Sequence, residues 1–506
     1  MRGVMAALAV AASVVVPVAG DGPFVFPRSA PEAQGIASEA IQSFVEEAER
    51  TIDALHSLVI VRHGVVVAEG WWAPYSAGEP HQMFSLSKSF TSTAVGMAVS
   101  EGLLSTDDPV LKFFPDEAPA EPSANLKAMR VRDLLTMTAG HHEEDLRGFP
   151  YNSEESVVRR FLSLPVAHKP GTLFVYNTPA SYMLSAIVQK VTGQPVVDYL
   201  GSRLFQPLGI TGATWDASRQ GVSMGGFGLN VRTEDIARFG ELYLRKGQWQ
   251  GRQIVPAAWV EAATSRQVSN GSSPSSDWEQ GYGYQFWRSR HGFYRGDGAH
   301  GQFCLVLPEY DTVVAITAGT RDMGAVMNLV WERLVPALGP QALPENRSAK
   351  AALASKLAAL TLPAITGETR TAAASAISGR RYEITGKQAG LEAVTLTGDG
   401  EDTTVTFRLA GKDHPVSAQA GRWRRGTSAM TGSDQVVAAS GAWTAADTYT
   451  LKVVRYRTPF ATTYRLRFRA DTLEGEVEQN VGPASERTTV IRGRAAARPA
   501  RTSESR

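Results

Sequence analysis

Near residue 340 the apolar pattern of this chain changes period, and that change limits the fold more than any other feature. Before it, helical and strand patterns interleave. Leu58 to Val67 is a β-branched run broken by Arg62-His63-Gly64, which predicts a hairpin. Residues 85 to 101 read as a helix stopped at Gly102, with Phe90, Ala94, Met97 and Ala98 on one face. A short helix is expected from Val131 and a longer one over 179–192, then two strands over 303–318 around Pro308-Glu309-Tyr310-Asp311. This mixture predicts an α/β (α+β) domain, an antiparallel sheet flanked by helices, over residues 21–342. Residues 343–378, rich in Ala, Ser, Thr and Pro, read as a linker holding one short helix near 348–360. After it the strand period takes over. Val405, Phe407 and Leu409 alternate with polar neighbours, and Tyr464, Leu466 and Phe468 alternate with Arg465, Arg467 and Arg469. Residues 379–491 are therefore expected to form a C-terminal all-β barrel or sandwich, and 492–506, Arg- and Ala-rich, a disordered tail.

A chain of 506 residues exceeds one comfortable hydrophobic core, in keeping with this division. The formal net charge of +1 gives no electrostatic reason to expect a nucleic-acid partner. At the N-terminus, Arg2, the apolar stretch Val4 to Val16 and the small residues Val18-Ala19-Gly20 have the order of a signal peptide over 1–20. The expectation is a periplasmic or secreted protein with no transmembrane segment in its mature form. Cys304 is the single cysteine, within the strand-like Phe303-Cys304-Leu305-Val306-Leu307, and reads as an inert core thiol.

The chemistry points to Phe84-Ser85-Leu86-Ser87-Lys88. Ser and Lys three apart on a helix share a face, so their tips can meet. Ser85 at the helix start would face free backbone N–H groups, which favour developing negative charge. Burial lowers a Lys pKa, and a neutral amine beside the hydroxyl could take its proton. By itself Ser-x-x-Lys is a short motif that recurs by chance. Two other patterns weigh less. Gly221-Val222-Ser223-Met224-Gly225 has the letters of a nucleophile elbow but no strand-like segment before it. His141-His142-Glu143-Glu144-Asp145 lacks metal-ligand spacing, and no metal or organic cofactor is expected. Trp71, Trp72, Tyr75 and His81 precede Ser85 and are read as pocket lining or core.

Further segments carry a resemblance. Ser85 through Ser92, Glu101-Gly102-Leu103-Leu104 and Asp107-Asp108-Pro109-Val110 are followed by Val131 to Gly140, by Pro170-Gly171-Thr172-Leu173-Phe174-Val175-Tyr176, and by Gly225 to Leu229 with Asp235 to Gly240. In this order they resemble the serine β-lactamase-like superfamily, nearest the class C β-lactamases, class VIII esterases and 6-aminohexanoate-dimer-hydrolase-like enzymes. The resemblance implies Ser85 as nucleophile, Lys88 as its activating partner and Tyr176 as a proton-shuttling phenol. Which of Lys88 and Tyr176 takes the proton stays open at this point.

Two departures shape the expected substrate. The family often has Asn two residues after the Tyr. Here Thr178 stands there, preceded by Asn177. The Lys-Thr-Gly motif of β-lactamases and penicillin-binding proteins is absent, and Gly298-Ala299-His300-Gly301-Gln302 lies in its region. Thr178, Asn177, His300, Gly301 and Gln302 are the candidates for substrate binding and the oxyanion hole. Without the Lys, the site lacks the cation that would meet a β-lactam carboxylate. The sequence therefore favours an exported serine hydrolase acting on small-molecule or short-peptide esters or amides. The alternatives are a D-amino-acid peptidase (DD-peptidase), a β-lactamase, and a non-catalytic scaffold or sensor of the same fold.

Overall fold

The computed structural model describes residues 24–386, 390–398 and 400–496. The expected signal peptide over 1–20 lies outside these. Among the described residues no helix is long and apolar enough to cross a membrane.

The first domain is built on a six-stranded antiparallel sheet. Its strands are β1 (Leu55–Arg62), β2 (Val65–Trp71), β3 (Trp287–Arg288), β4 (Tyr294–Gly298), β5 (Gln302–Leu307) and β6 (Thr312–Ala318), in the order β2-β1-β6-β5-β4-β3. The predicted hairpin is β1–β2, and the two strands expected over 303–318 are β5 and β6. The central strands β1, β5 and β6 are buried along their whole length because both faces are covered. Leu58 and Ile60 of β1, with Phe303, Leu305 and Leu307 of β5, join the core under helix α1 (Ser38–Thr51). Val59, Val61, Cys304 and Val306 point the other way. There α4 (Thr233–Leu244) covers them, with α2 (Ser87–Ser100) and, packed on it, α3 (Thr178–Thr192) in the same core layer. Cys304 is buried with its Sγ 3.5 Å from the Ile236 carbonyl oxygen, and burial pushes the thiol up to about 12.

Helix α2 is buried on every side over Ser87 to Ala98, not on one face as its apolar spacing suggested. Two of its buried hydroxyls donate to carbonyls of neighbouring segments, Ser89 to Gln285 and Thr91 to Gly225, at 2.9 and 2.8 Å. Phe90 stacks on Phe239 of α4 at 3.9 Å, which fixes the helix against the sheet's cover.

The stretch expected as a free linker is docked. Helix α5 (Arg347–Ala358) lies on α1, and Leu353, Leu360 and Leu362 are buried in the same core. Small and polar composition hid these leucines, which are spaced to reach one groove.

The C-terminal sheet has ten strands, nine of which close into a barrel while the strand Arg424–Ser428 extends beyond the closure. Its strands are β7 (Arg381–Ile384), β8 (Leu391–Thr397), β9 (Asp402–Leu409), β10 (Lys412–Gln419), β11 (Arg424–Ser428), β12 (Gln435–Ala445), β13 (Thr448–Val454), β14 (Ala461–Arg469), β15 (Thr472–Gln479) and β16 (Thr488–Ala495). The order is β10-β9-β8-β7-β16-β15-β14-β13-β12-β11, and the ring closes where Gln419 of β10 meets Ser440 of β12. Connector residues brace this seam. Ser440 Oγ accepts from Ile365 N–H at 3.0 Å, Gly421 N–H donates to the Ile365 carbonyl at 2.8 Å, and Glu368 bridges Trp443. The tail expected from 492 is corrected in part. β16 continues through Ala495, because Gly493 pairs both with Ile384 and with Leu473 while Arg492 and Arg494 face outward.

Barrel and first domain interlock through the β13–β14 turn. Gln82 N–H donates to the Arg457 carbonyl at 2.8 Å, the Tyr75 hydroxyl to the Thr458 carbonyl at 3.0 Å, and Arg457 pairs with Glu79 at 2.7 Å. Tyr75 also stacks on His56 at 3.8 Å, and His56 Nδ1 lies 3.1 Å from His81 Nε2. Tyr75 and His81 are thus buried support between sheet and barrel, while the buried Trp72 donates from Nε1 to Glu49 of α1 at 3.1 Å.

Candidate active site

Ser85 sits in a tight 3-10 turn, Phe84–Leu86, that feeds directly into α2. Phe84, immediately before it, has φ +48°, a left-handed conformation a bulky residue rarely adopts. Ser85 is half-buried and open to a ligand, while Lys88, one turn later, is 1% exposed.

Three groups surround Lys88 Nζ. It donates to the Gly226 carbonyl oxygen at 2.8 Å and to Thr178 Oγ1 at 3.3 Å, and Ser85 Oγ lies 3.0 Å away. A neutral amine has two N–H donors and one lone pair. With Gly226 and Thr178 taking the two donors, the lone pair is left for the Ser85 hydroxyl. Burial lowers Lys88 to about 7, with Asp297 opposing the shift. Gly226 has to be glycine for this contact. A Cβ there would stand 2.7 Å from Thr178 Cγ2 and 3.0 Å from the Thr178 carbonyl oxygen.

Tyr176 places its ring 4.9 Å from Lys88 Nζ and stacks on Trp287 at 5.4 Å. Burial, and then the nearby Asp297, pushes the phenol well above its ordinary value, opposed by a hydrogen bond to Ser85 and by Arg295. Tyr176 is therefore a phenol, not a phenolate, at neutral pH. Asp297 itself is buried and bonded to Arg295 Nε at 2.8 Å. Burial raises its pKa against the pull of Arg295 and Lys88.

The turn between β4 and β5 packs on Met83 and Phe84, beside Ser85. A Cβ on Gly298 would stand 2.1 Å from the Met83 carbonyl oxygen, so only glycine permits this approach. His300 packs edge-on against Phe84 at 5.4 Å, and Phe460 of the barrel packs against both, at 6.0 Å from Phe84 and 5.8 Å from His300. His300, in the region where the Lys-Thr-Gly motif would lie, is held below the ordinary imidazole value by burial. Gly301 supplies the turn's φ of +98°. The backbone N–H groups of Ser85 and Ala299 have no hydrogen-bond partner among the described residues.

Two of the candidates face elsewhere. Asn177 is buried and caps α3: its Oδ1 accepts from Ala180 N–H at 2.8 Å and its Nδ2 lies 3.4 Å from His141 Nδ1. Capping is what a short polar side chain at a helix start does most readily, and it leaves no group for substrate. Gln302 donates from Nε2 to the Ala299 and Ala318 carbonyls at 3.0 and 2.9 Å, so it braces the turn from beneath. Thr178 stays at the site through Lys88. Ser223, in the elbow-like segment, is buried, and its carbonyl accepts from Ser185 Oγ at 2.7 Å. His141 is buried against Phe161.

Sequence reading missed Gly226 as the Lys88 acceptor, and also Asp297, Trp287 and Phe460. Asp297 adjoins the glycine turn and was within reach of a motif search. Phe460 lies in another domain, with no local signal tying it to Ser85.

The Beta-lactamase family model matches residues 48–335. The chain belongs to the Beta-lactamase family. Among relatives of this family, the 6-aminohexanoate-dimer hydrolase of Paenarthrobacter ureafaciens is 25% identical over 51% of this chain and 71% of its own length. Esterase EstB of Burkholderia gladioli is 27% identical over 30% of this chain and 44% of its own. The solved structure of EstCE1, a hydrolase with promiscuous acyltransferase activity, superposes with a TM-score of 0.50 at 18% identity, covering 59% of this chain and 98% of that one. That likeness bears on the fold. The relatives named hydrolase and esterase support a serine hydrolase for this Beta-lactamase family member.

Proposed function

We propose that this hydrolase cleaves a neutral ester or amide through an acyl-enzyme on Ser85. The observation that carries the reading is the three-way setting of Lys88 Nζ, whose donors are taken by Gly226 and Thr178 and whose lone pair faces Ser85 Oγ. Lys88, near pKa 7, accepts the hydroxyl proton as Oγ bonds to the carbonyl carbon. The N–H groups of Ser85 and Ala299 receive the oxyanion. Tyr176 then gives its proton to the leaving alkoxide or amine and regains one from the Lys88 ammonium. Water repeats the sequence to release the acid.

The absence of a cation on the His300 turn supports neutral substrates over β-lactam carboxylates. The amide- and ester-cleaving activities named in the two curated relatives agree with that class. Export to the periplasm or medium is part of the proposal and rests on the order of residues from Arg2 to Gly20.

The test is fluorophosphonate labelling of wild type and Ser85→Ala, run beside a p-nitrophenyl ester panel, short amides, D-alanyl peptides and nitrocefin. Labelling and ester turnover that both vanish in Ser85→Ala support the proposal. A folded wild type that neither labels nor turns over any of these would point to a binding role. Nitrocefin or D-alanyl peptide turnover without ester turnover would replace the substrate assignment.

A further inference from the structure

The barrel is solid at one end and hollow at the other. Strand periodicity divides each wall by height. On β13, Tyr449 and Leu451 belong to a packed plug with Trp443, Leu466 and Phe468, while Val453 faces open space. On β14, Leu466 and Phe468 are in the plug and Tyr464 faces the same space. The result is a cavity of about 210 Å³ walled by Leu391, Phe407, Val437, Val453, Val477 and Ile491.

One cation lies among these apolar walls. Arg455, just past the end of β13, lines the cavity beside Tyr464 and is partly buried. Its guanidinium rests on the Phe460 ring at 4.5 Å. Among the described residues no carboxylate pairs with it. Burial lowers its pKa, and the groups opposing that shift are the phenols of Tyr464 and Tyr75. A half-buried guanidinium without an anion is costly, and an arriving carboxylate would relieve that cost with a charge-assisted, two-pronged contact.

We propose that the C-terminal barrel binds a medium-chain carboxylate, its acyl chain in the cavity and its carboxylate on the Arg455 guanidinium and the Tyr464 hydroxyl. A dry cavity of about 150 Å³ lined by similar side chains holds benzene, so this one has room for an acyl chain of several carbons. The assignment does not depend on the reaction proposed at Ser85, although Phe460, under Arg455, also packs on Phe84 and His300.

Calorimetric titration of the full-length protein with decanoate, and with decanol as the uncharged control, tests the assignment. One decanoate per chain is expected, with decanol binding at least about tenfold more weakly. Arg455→Gln should remove that preference. Val477→Trp, which fills the cavity, should abolish binding while p-nitrophenyl ester turnover continues. No decanoate binding by wild type at millimolar concentration overturns the proposal, as does decanol binding equally well. Decanoate binding unchanged in a folded Val477→Trp protein would place the ligand elsewhere and also overturn it. Should Val477→Trp fail to fold, Leu409→Trp on the same wall makes the same test.

Discussion

Lys88 reaches across the domain to the Gly226 carbonyl oxygen, 2.8 Å from its Nζ, and this contact together with Thr178 directs the amine's lone pair at Ser85. In the proposed reaction the activation of Ser85 depends on a backbone group far from it in sequence, at a glycine that leaves room for Thr178.

The first prediction concerns pH. Burial lowers Lys88 to about 7, so the amine is charged and unable to accept a proton below that value and neutral above it. kcat/KM for a p-nitrophenyl ester should rise with pH through an apparent pKa near 7. Lys88→Arg keeps the charge but has no accessible neutral form, and should lower kcat/KM by roughly a thousandfold at every pH. A profile flat from pH 5 to 9 in wild type would be incompatible with Lys88 as the base.

Thr178→Val removes one of the two acceptors for Lys88 while keeping the side chain's shape. We expect kcat to fall by about tenfold, an ordinary value for a single charge-assisted hydrogen bond, with KM and melting temperature little changed. Steady-state kinetics together with a thermal melt separate this from a folding defect.

Stability should depend on pH through buried imidazoles. His81 and His141 are both lowered to about 4, and His56 is lowered well below 6.5, each chiefly by burial. Between about 4 and 6.5 the unfolded chain binds protons that the folded one does not, so stability falls as pH drops through that window. For His81 alone the loss at pH 5 is about 2 kcal/mol. Melting temperatures from pH 7.5 to 5 should fall steeply, and His81→Gln should flatten the slope. A slope identical in that variant would remove the pair from the account.

Phe460 forms the barrel's contribution to the nucleophile's surroundings, against Phe84 and His300. Phe460→Ala should widen the site there. The ratio of kcat/KM for bulky over short acyl esters is expected to increase several-fold, read from a p-nitrophenyl ester series. An unchanged ratio would mean that substrate does not reach this wall.

Much of the first domain was legible because its signals are local. The hairpin of β1 and β2, the strands β5 and β6, and Ser85 with Lys88 one turn apart each follow from neighbours in sequence. Barrel strands announced themselves by alternation, as at Tyr464, Leu466 and Phe468. What stayed hidden depends on distant approach. Asn177 was weighed for its amide, but its position at a helix start decides its use as a cap. Leu353 and Leu360 looked like parts of a loose connector because the groove that receives them is made by α1 and β2. Gly226 carried a family likeness but not its task, which only the position of Thr178 reveals.

The connector that braces the barrel seam has one more consequence. Ile365 and Glu368 tie to Ser440, Gly421 and Trp443, while Leu360 and Leu362 are anchored in the first domain's core. The same few residues act as a latch for both halves, so the closure of the barrel and its docking to the preceding domain rest on one strip. A single protease cut between Leu362 and Ile365 would unfasten the seam and loosen the docking together, and an excised barrel starting at residue 379 would be a ring without its clasp.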